Sequence, residues 1–164
     1  MTARPKSRPL ELVERLAQQI RDHAAASPEL WWKTPSAVIV DPGASWDTLE
    51  PPIVAIEING AEPGESGGID GEPIYEEIAD VTVWGYTQDP ETPQRAGLEL
   101  LADLRRALLG NLNMVDASGV AWLTCGMLED AGYTIATEFP EGGPGRALLE
   151  YRIRARYEWT PASA

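Results

Sequence analysis

Carboxylates are the groups in this chain most able to do chemistry. Glu62, Glu65, Asp70 and Glu72 lie within a stretch, residues 59–73, that holds five glycines and two prolines. Oxygen ligands on a glycine-rich loop suit Ca²⁺, but the spacing does not match the EF-hand pattern, so the indication of a metal site is weak. We expect no bound metal or cofactor here, and interpret the stretch as a solvated loop or as an arm that orders against a partner.

The chain contains one histidine, His23, and one cysteine, Cys125. A structural zinc site needs four Cys or His ligands, and a single cysteine forms no internal disulfide. A Ser-His-Asp or Cys-His arrangement would need His23, which the helical pattern places at the solvated end of a helix. A hydrolase that uses two carboxylates stays open, although no pair stands out. We therefore predict a protein that binds and assembles, not an enzyme.

The negative charge is concentrated in one part of the chain. Residues 34–94 hold 13 acids and no base, whereas the remainder has 13 of each, so this part carries the whole net charge of −13. Such a block repels nucleic-acid backbones, which disfavours direct DNA binding. No apolar run reaches the length of a membrane span, so we expect no membrane association. The basic N-terminus precedes an amphipathic segment, which disfavours a signal peptide and favours a cytoplasmic protein.

Three arginines, Arg152, Arg154 and Arg156, share one face of the predicted last strand. Like charges so placed are costly unless acids oppose them. They could pair locally with Glu150, Glu158 or an acid on the adjacent strand. They could instead pair with the acidic stretch of a neighbouring subunit, in a head-to-tail contact that can close into a ring.

Two adjacent tryptophans, Trp31 and Trp32, follow the first predicted helix. Neighbouring residues cannot easily both face a core, so we expect one to plug the edge of the domain. The alternative is an anchor in a subunit interface, a role that tryptophan often has. We treat these two residues and the three arginines as a candidate subunit interface.

Hydrophobic periodicity predicts the elements that position these groups. One domain is expected over residues 9–159, with a flexible basic arm before it (1–8) and a tail after it (160–164). Turn residues predict a hairpin loop over 138–146 and an irregular loop over 59–73. The predicted helices are Pro9–Ala26 and 93–108, capped by Thr92, and the predicted strands are Val38–Val40, Ile53–Ile58, Ile74–Tyr86, Val120–Met127, Tyr133–Thr137 and Leu149–Trp159.

This order predicts an α+β fold. Strands mostly follow strands, which favours a single mostly antiparallel or mixed β-sheet. Two α-helices are expected to pack on one face of that sheet, and a long acidic Gly-rich loop completes the architecture.

The order of these elements, and the pattern of apolar and polar residues within them, are familiar. An amphipathic helix leads to a short strand, the long strand EEIADVTVWGY, the helix TPQRAGLELLADLRRALLG and the alternating strand LLEYRIRARYEW. From about Pro9 to Trp159 the chain resembles the tail terminator, or tail completion, proteins of long-tailed bacteriophages.

The resemblance implies a structural virion protein assembled in the bacterial cytoplasm. Its copies form a ring, expected to be a hexamer, that caps the tail tube, ends its polymerisation and joins it to the head-side connector. DNA passes through the lumen without specific binding. We expect the acidic residues Glu62, Glu65, Asp70, Glu72, Glu76 and Glu77 to face the lumen or the tube, and the family implies no catalytic residues.

Three alternatives remain open. A head-closure or tail tube subunit would occupy a neighbouring place in the virion, and a tube subunit would form long tubes where a terminator stops at a ring. An acidic DNA mimic or immunity-type inhibitor would be a monomer or dimer that binds a basic partner. An enzyme that uses carboxylates alone would need a pocket with perturbed carboxyl groups.

Overall fold

The fold is described by a computed structural model over residues 7–42, 49–69, 71–124 and 126–161. Five strands form one sheet in the order β1-β2-β3-β5-β4. The β1–β2 pair is parallel and the other pairs are antiparallel, so the predicted α+β class with a mixed sheet is confirmed. A short 3₁₀ turn, Pro28–Leu30, follows the first helix, and the elements are α1 (Arg8–Ala26), β1 (Ala37–Val40), β2 (Ile53–Ile69), β3 (Glu72–Asp89), α2 (Pro93–Leu109), β4 (Glu129–Glu138) and β5 (Gly145–Trp159).

Both helices pack on one face of the sheet, as predicted. Leu16 of α1 and Leu104 of α2 are fully buried and join one core with Tyr151 of β5. Burial of each large apolar side chain contributes about 1.5–3 kcal/mol. At Gly85 of β3, an added Cβ would lie 2.5 Å from a Leu100 methyl carbon, so this glycine lets α2 approach the sheet closely.

The start of α2 differs in one detail from the prediction. The Thr92 side chain makes no capping hydrogen bond. Instead, Asp89 Oδ1 accepts hydrogen bonds from the backbone N–H groups of Glu91 (3.0 Å) and Thr92 (2.7 Å). These bonds lower the pKa of the Asp89 carboxyl. Asp89, the last residue of β3, thus provides the capping that was expected from Thr92.

The prediction of an irregular loop over residues 59–73 is wrong. Strands β2 and β3 pair through this stretch, from Ile53↔Tyr86 to Ile69↔Glu72. Its prolines are tolerated because Pro63 lies beyond the end of β1 and Pro73 beyond the end of β5, where each strand has one neighbour. The pairing register shifts at two places, between Ile58 and Gly60 and between Pro63 and Ser66. We call residues 57–69 with 72–77 the acidic hairpin.

The prediction of a strand over Val120–Met127 is also wrong. The described part of this run forms a loop with a single bridge, Val115↔Ala121. Its apolar side chains close the end of the core, with Trp122 and Leu123 buried. The Asn113 side chain donates to the carbonyl of Gly126 at 2.8 Å, so a side chain supplies a hydrogen bond that a strand would obtain from its neighbour. Cys125 lies outside the described residues.

The chain ends also depart slightly from the expectation. Arg8, predicted to belong to a loose arm, begins α1, and its Nε donates to the carbonyl of Glu158 at 3.3 Å. Residues 1–6 and 162–164 lie outside the described ranges.

Candidate interaction surface

The open face of the sheet, opposite the helices, carries the three predicted arginines. They alternate along β5 with buried residues that face the core. Arg152 Nε donates to Glu150 Oε1 at 2.8 Å. The register places Arg152 and Arg154 opposite Thr82 and Asp80 of β3, so β3 supplies an acid to the middle arginine.

Two of the predicted groups, the arginines of β5 and the acidic residues, contact each other on this face. Arg154 Nε lies 3.0 Å from Asp80 Oδ1, and its Nη2 lies 3.3 Å from Glu62 Oε1. Arg156 Nη1 lies 3.2 Å from Glu76 Oε1. Hydrogen bonding to Asp80 and the two nearby carboxylates raise the pKa of Arg154. The arginines are therefore paired within the chain, and part of the acidic stretch is neutralised by them.

A polar groove of about 800 Å³ crosses the open face next to these pairs. Trp84 Nε1 donates to Glu57 Oε1 at 2.8 Å, and Asn59 Nδ2 donates to Thr82 Oγ1 at 2.6 Å. These bonds hold the base of the acidic hairpin against the centre of the sheet. The groove is lined by four acids and two arginines, so it keeps an excess of negative charge although Arg152 and Arg154 pair with Glu150 and Asp80.

The acidic side chains of the hairpin fall into three environments. Glu62 and Glu76 pair with arginines, as above. Glu77 lies on the helix side, where Tyr157 Oη donates to its Oε2 at 2.6 Å. Burial, with the neighbouring Glu77, raises the pKa of that phenol. Glu65 and Glu72 are exposed near the tip and form no ion pair with any described base. Asp70, predicted to belong to the same group, lies outside the described residues.

The hairpin tip extends beyond the rest of the sheet. Strand β5 ends opposite Tyr75, where Trp159 stacks on the Tyr75 ring with centroids 4.6 Å apart. Beyond this point, residues 67–69 and 72–74 pair only with each other among the described strands. The tip is thus an antiparallel ribbon with an acidic end, attached to a five-stranded sheet and closed at its base by an aromatic stack.

The two tryptophans have different environments. Trp31 is 8% exposed, and its Nε1 donates to His23 Nδ1 at 2.9 Å. Trp31 is therefore the residue that packs into the edge of the domain. His23 accepts its hydrogen bond and is not the solvated helix-end residue that the sequence predicted. Trp32 is 64% exposed, which leaves it available as an anchor for a partner.

Asp103 of α2 is an important polar residue that the sequence pattern did not single out. It is fully buried and accepts hydrogen bonds from the backbone N–H groups of Trp32 (3.2 Å) and Lys33 (2.8 Å). Arg106, which also donates to Leu30 O, pairs with it. Burial raises the pKa of the Asp103 carboxyl, against these hydrogen bonds. Its one sequence signal is its position beside Leu104 in the apolar stripe of α2.

The described residues hold no group of three or more His, Cys, Asp or Glu side chains arranged to bind a metal ion. Among the described helices, none is long and apolar enough to cross a membrane. The candidate interaction surface consists of the charged open face, the acidic hairpin and the exposed Trp32.

Comparison with models of known protein families and with curated proteins yields no match to this sequence.

Proposed function

We propose that this chain is a structural virion protein, the tail terminator of a long-tailed bacteriophage, and that it has no catalytic activity. Its copies form a ring, a hexamer in this proposal, that caps the tail tube and presents a surface to the head-side connector. The order of elements and the α+β fold with both helices on one face support the proposal. The acidic hairpin is the single observation that carries it.

The hairpin suits a role at a lumen or at the end of a tube. It is a paired ribbon rather than a loose loop, so its acids keep a defined position relative to the sheet. Glu65 and Glu72 at its tip have no ion-pair partner among the described residues. A ring of such tips concentrates negative charge, which repels the phosphate backbone of DNA and lets it pass without binding.

Neighbouring subunits then meet head to tail through the open face and Trp32. Arg152 is the most exposed of the three arginines, with 60% of its side chain accessible. Exposed ion pairs of this kind contribute only about 0–1 kcal/mol each, so exchanging an internal partner for one on a neighbour costs little. A protruding tryptophan supplies the apolar contact area that such a contact needs.

The first test is the absolute mass in solution, measured by light scattering on a sizing column at low and high salt. We expect a mass of six 17.9 kDa chains, or a whole-number multiple of it, that falls as salt rises because screening weakens exposed ion pairs. Long tubes would instead indicate a tail tube subunit.

A chain that stays monomeric would be mixed with purified tail tubes and with a basic protein. Capping of the tubes would keep the terminator proposal, since the ring would then assemble on the tube. Binding to the basic protein without any effect on tubes would overturn it in favour of an acidic inhibitor.

A further inference from the structure

Strand β4 forms an outer edge of the sheet. It pairs with β5 on one side, and within the described ranges no strand pairs with its other side. Residues 131–137 contain no charged residue and no proline. Edge strands usually contain lysine or proline, or are very short, and these features prevent pairing with another chain. β4 has a bulge between Asp130 and Tyr133 and acids at both ends, but residues 133–137 have neither device.

The residues beside this edge are more apolar than a solvated strand requires. Tyr133 is 45% exposed, and Phe139, just after the strand, is 67% exposed. Thr134 and Thr137 are exposed, and Ile135 is half-buried. From Tyr133↔Tyr151 to Glu138↔Arg146 the register with β5 is regular. A straight, uncharged edge with exposed aromatic neighbours is suited to extension by another strand.

We infer that β4 pairs antiparallel with β4 of a second copy of this chain, around a two-fold axis at Thr134. This register places Thr134 opposite its counterpart and Tyr133 opposite Ile135 of the second copy. Threonine pairs and aromatic–β-branched pairs are both favourable across antiparallel strands. An isologous contact requires a self-complementary strand of this kind.

The charges at the ends of the strand agree with this arrangement. The axis brings the Asp130 end of one copy near the Glu138 end of the other. Each acid already has a cation beside it, since Arg105 Nε lies 2.7 Å from Asp130 Oδ2 and Arg146 Nη1 lies 3.6 Å from Glu138 Oε1. Asp130 and Glu138 therefore each bring an arginine of their own chain to the contact, and Glu129, which lies opposite Arg154 in the register with β5, adds one further acid at each end.

This contact does not depend on the proposed function. Strand β4 lies at the edge of the sheet remote from β2, so the acidic hairpin and the β4 edge are separate surfaces. A two-fold contact also differs in symmetry from a head-to-tail contact. Salt dependence tests the head-to-tail contact, whereas substitutions in β4 test the two-fold one.

The test compares Thr134→Lys with Thr124→Lys by analytical ultracentrifugation over a range of concentrations. Thr134→Lys brings two lysines together at the axis, so we expect a mass at most half that of the wild type at the same concentration. Thr124 is an exposed threonine in the loop before β4, so Thr124→Lys should keep the wild-type mass. A monomeric wild type, or a Thr134→Lys variant of unchanged mass, would overturn the inference.

Oxidative cross-linking tests the same contact without disturbing the fold. Thr134→Cys should give a covalent dimer, because directly opposed residues of antiparallel strands lie within disulfide reach. Thr124→Cys and the wild type, which has Cys125, serve as controls. If all three cross-link equally or none does, the two-fold axis does not lie at Thr134.

Discussion

At the residue scale, arginines on the open face pair with acids from two other strands. Arg154 contacts both Asp80 and Glu62, so it links β5 to β3 and to the acidic hairpin beyond. Because these groups are exposed, we assign them a role in orienting the hairpin rather than a large share of stability. The residues with larger energetic consequences are those with buried polar atoms.

Asp103 is such a residue, and its truncation tests this view. Asp103→Ala leaves the N–H groups of Trp32 and Lys33 without their acceptor, so we expect a loss of about 2 kcal/mol of unfolding free energy. Urea denaturation measures it. Glu99→Ala on the same helix is the matched control, since among the described residues Glu99 forms an ion pair only with the 73% exposed Arg95, and its loss should cost less than about 0.5 kcal/mol. Equal losses for both variants would refute the assigned role.

Asp130 predicts a dependence of stability on pH. Burial raises the pKa of its carboxyl, but the Gly132 N–H and the Arg105 guanidinium outweigh burial, so the pKa in the folded state is lowered. The stabilisation it provides is therefore present above the unfolded value of about 3.9 and is lost as pH falls through the folded value.

Unfolding of the wild type and Asp130→Asn is compared at about pH 7 and about pH 2.5. We expect the wild type to be more stable at the higher pH and the difference to be smaller at the lower one, because protonation of the carboxyl removes its stabilisation. Glu141→Gln, at an exposed turn, should match the wild type at both. A difference of the same size at both pH values would mean that Asp130 acts through packing rather than charge.

At the scale of elements, the β2–β3 hairpin is the feature that most affects function. An isolated two-stranded ribbon is only marginally stable in water. Here its root is continuous with a five-stranded sheet, and the Tyr75–Trp159 stack closes its base. Only the tip beyond Tyr75 lacks further strand neighbours among the described residues, so most of the hairpin is held in place by the sheet.

Charge reversal at the tip tests the function of this element. Glu65→Lys combined with Glu72→Lys should abolish tube capping or DNA passage while leaving the fold intact, because neither side chain has an ion-pair partner among the described residues. Circular dichroism checks the fold, and a tail-joining assay with electron microscopy checks capping. Glu91→Lys combined with Glu141→Lys makes the same charge change at exposed turns. If both double variants cap tubes normally, the hairpin has no role at the tube. If phage joined with either variant also eject their DNA normally, it has none at the lumen.

At the scale of the whole molecule, the chain is a two-layer domain with distinct surfaces. Helices cover one face of the sheet, and the other face carries paired charges. The acidic hairpin extends from the β2–β3 side, and on the opposite side no described strand pairs with the outer edge of β4. These surfaces allow one head-to-tail contact and one two-fold contact, whose symmetries can be separated by experiment.

Much of this architecture is determined by the sequence alone. The helical stripe that includes Leu16 and the strict alternation along β5 depend on residues close in the chain, and the structure confirms both. The class of fold follows from the order of such elements. Trp31 and Trp32 were expected to divide between the core and the surface, because neighbouring side chains cannot easily share one direction.

Other features are decided only by tertiary structure, because they depend on residues distant in sequence. Residues 59–69 and 72–73 have turn composition, yet they form strands because the pairing of β2 with β3 continues outward from the sheet. Val120–Met127 has strand composition, yet Trp122 is used to close the core. Local composition cannot show that Arg154 meets Glu62, that Asp103 holds the backbone after Trp31, or that the β4 edge stays open. Each of these contacts is set by the packing of the whole sheet against its helices.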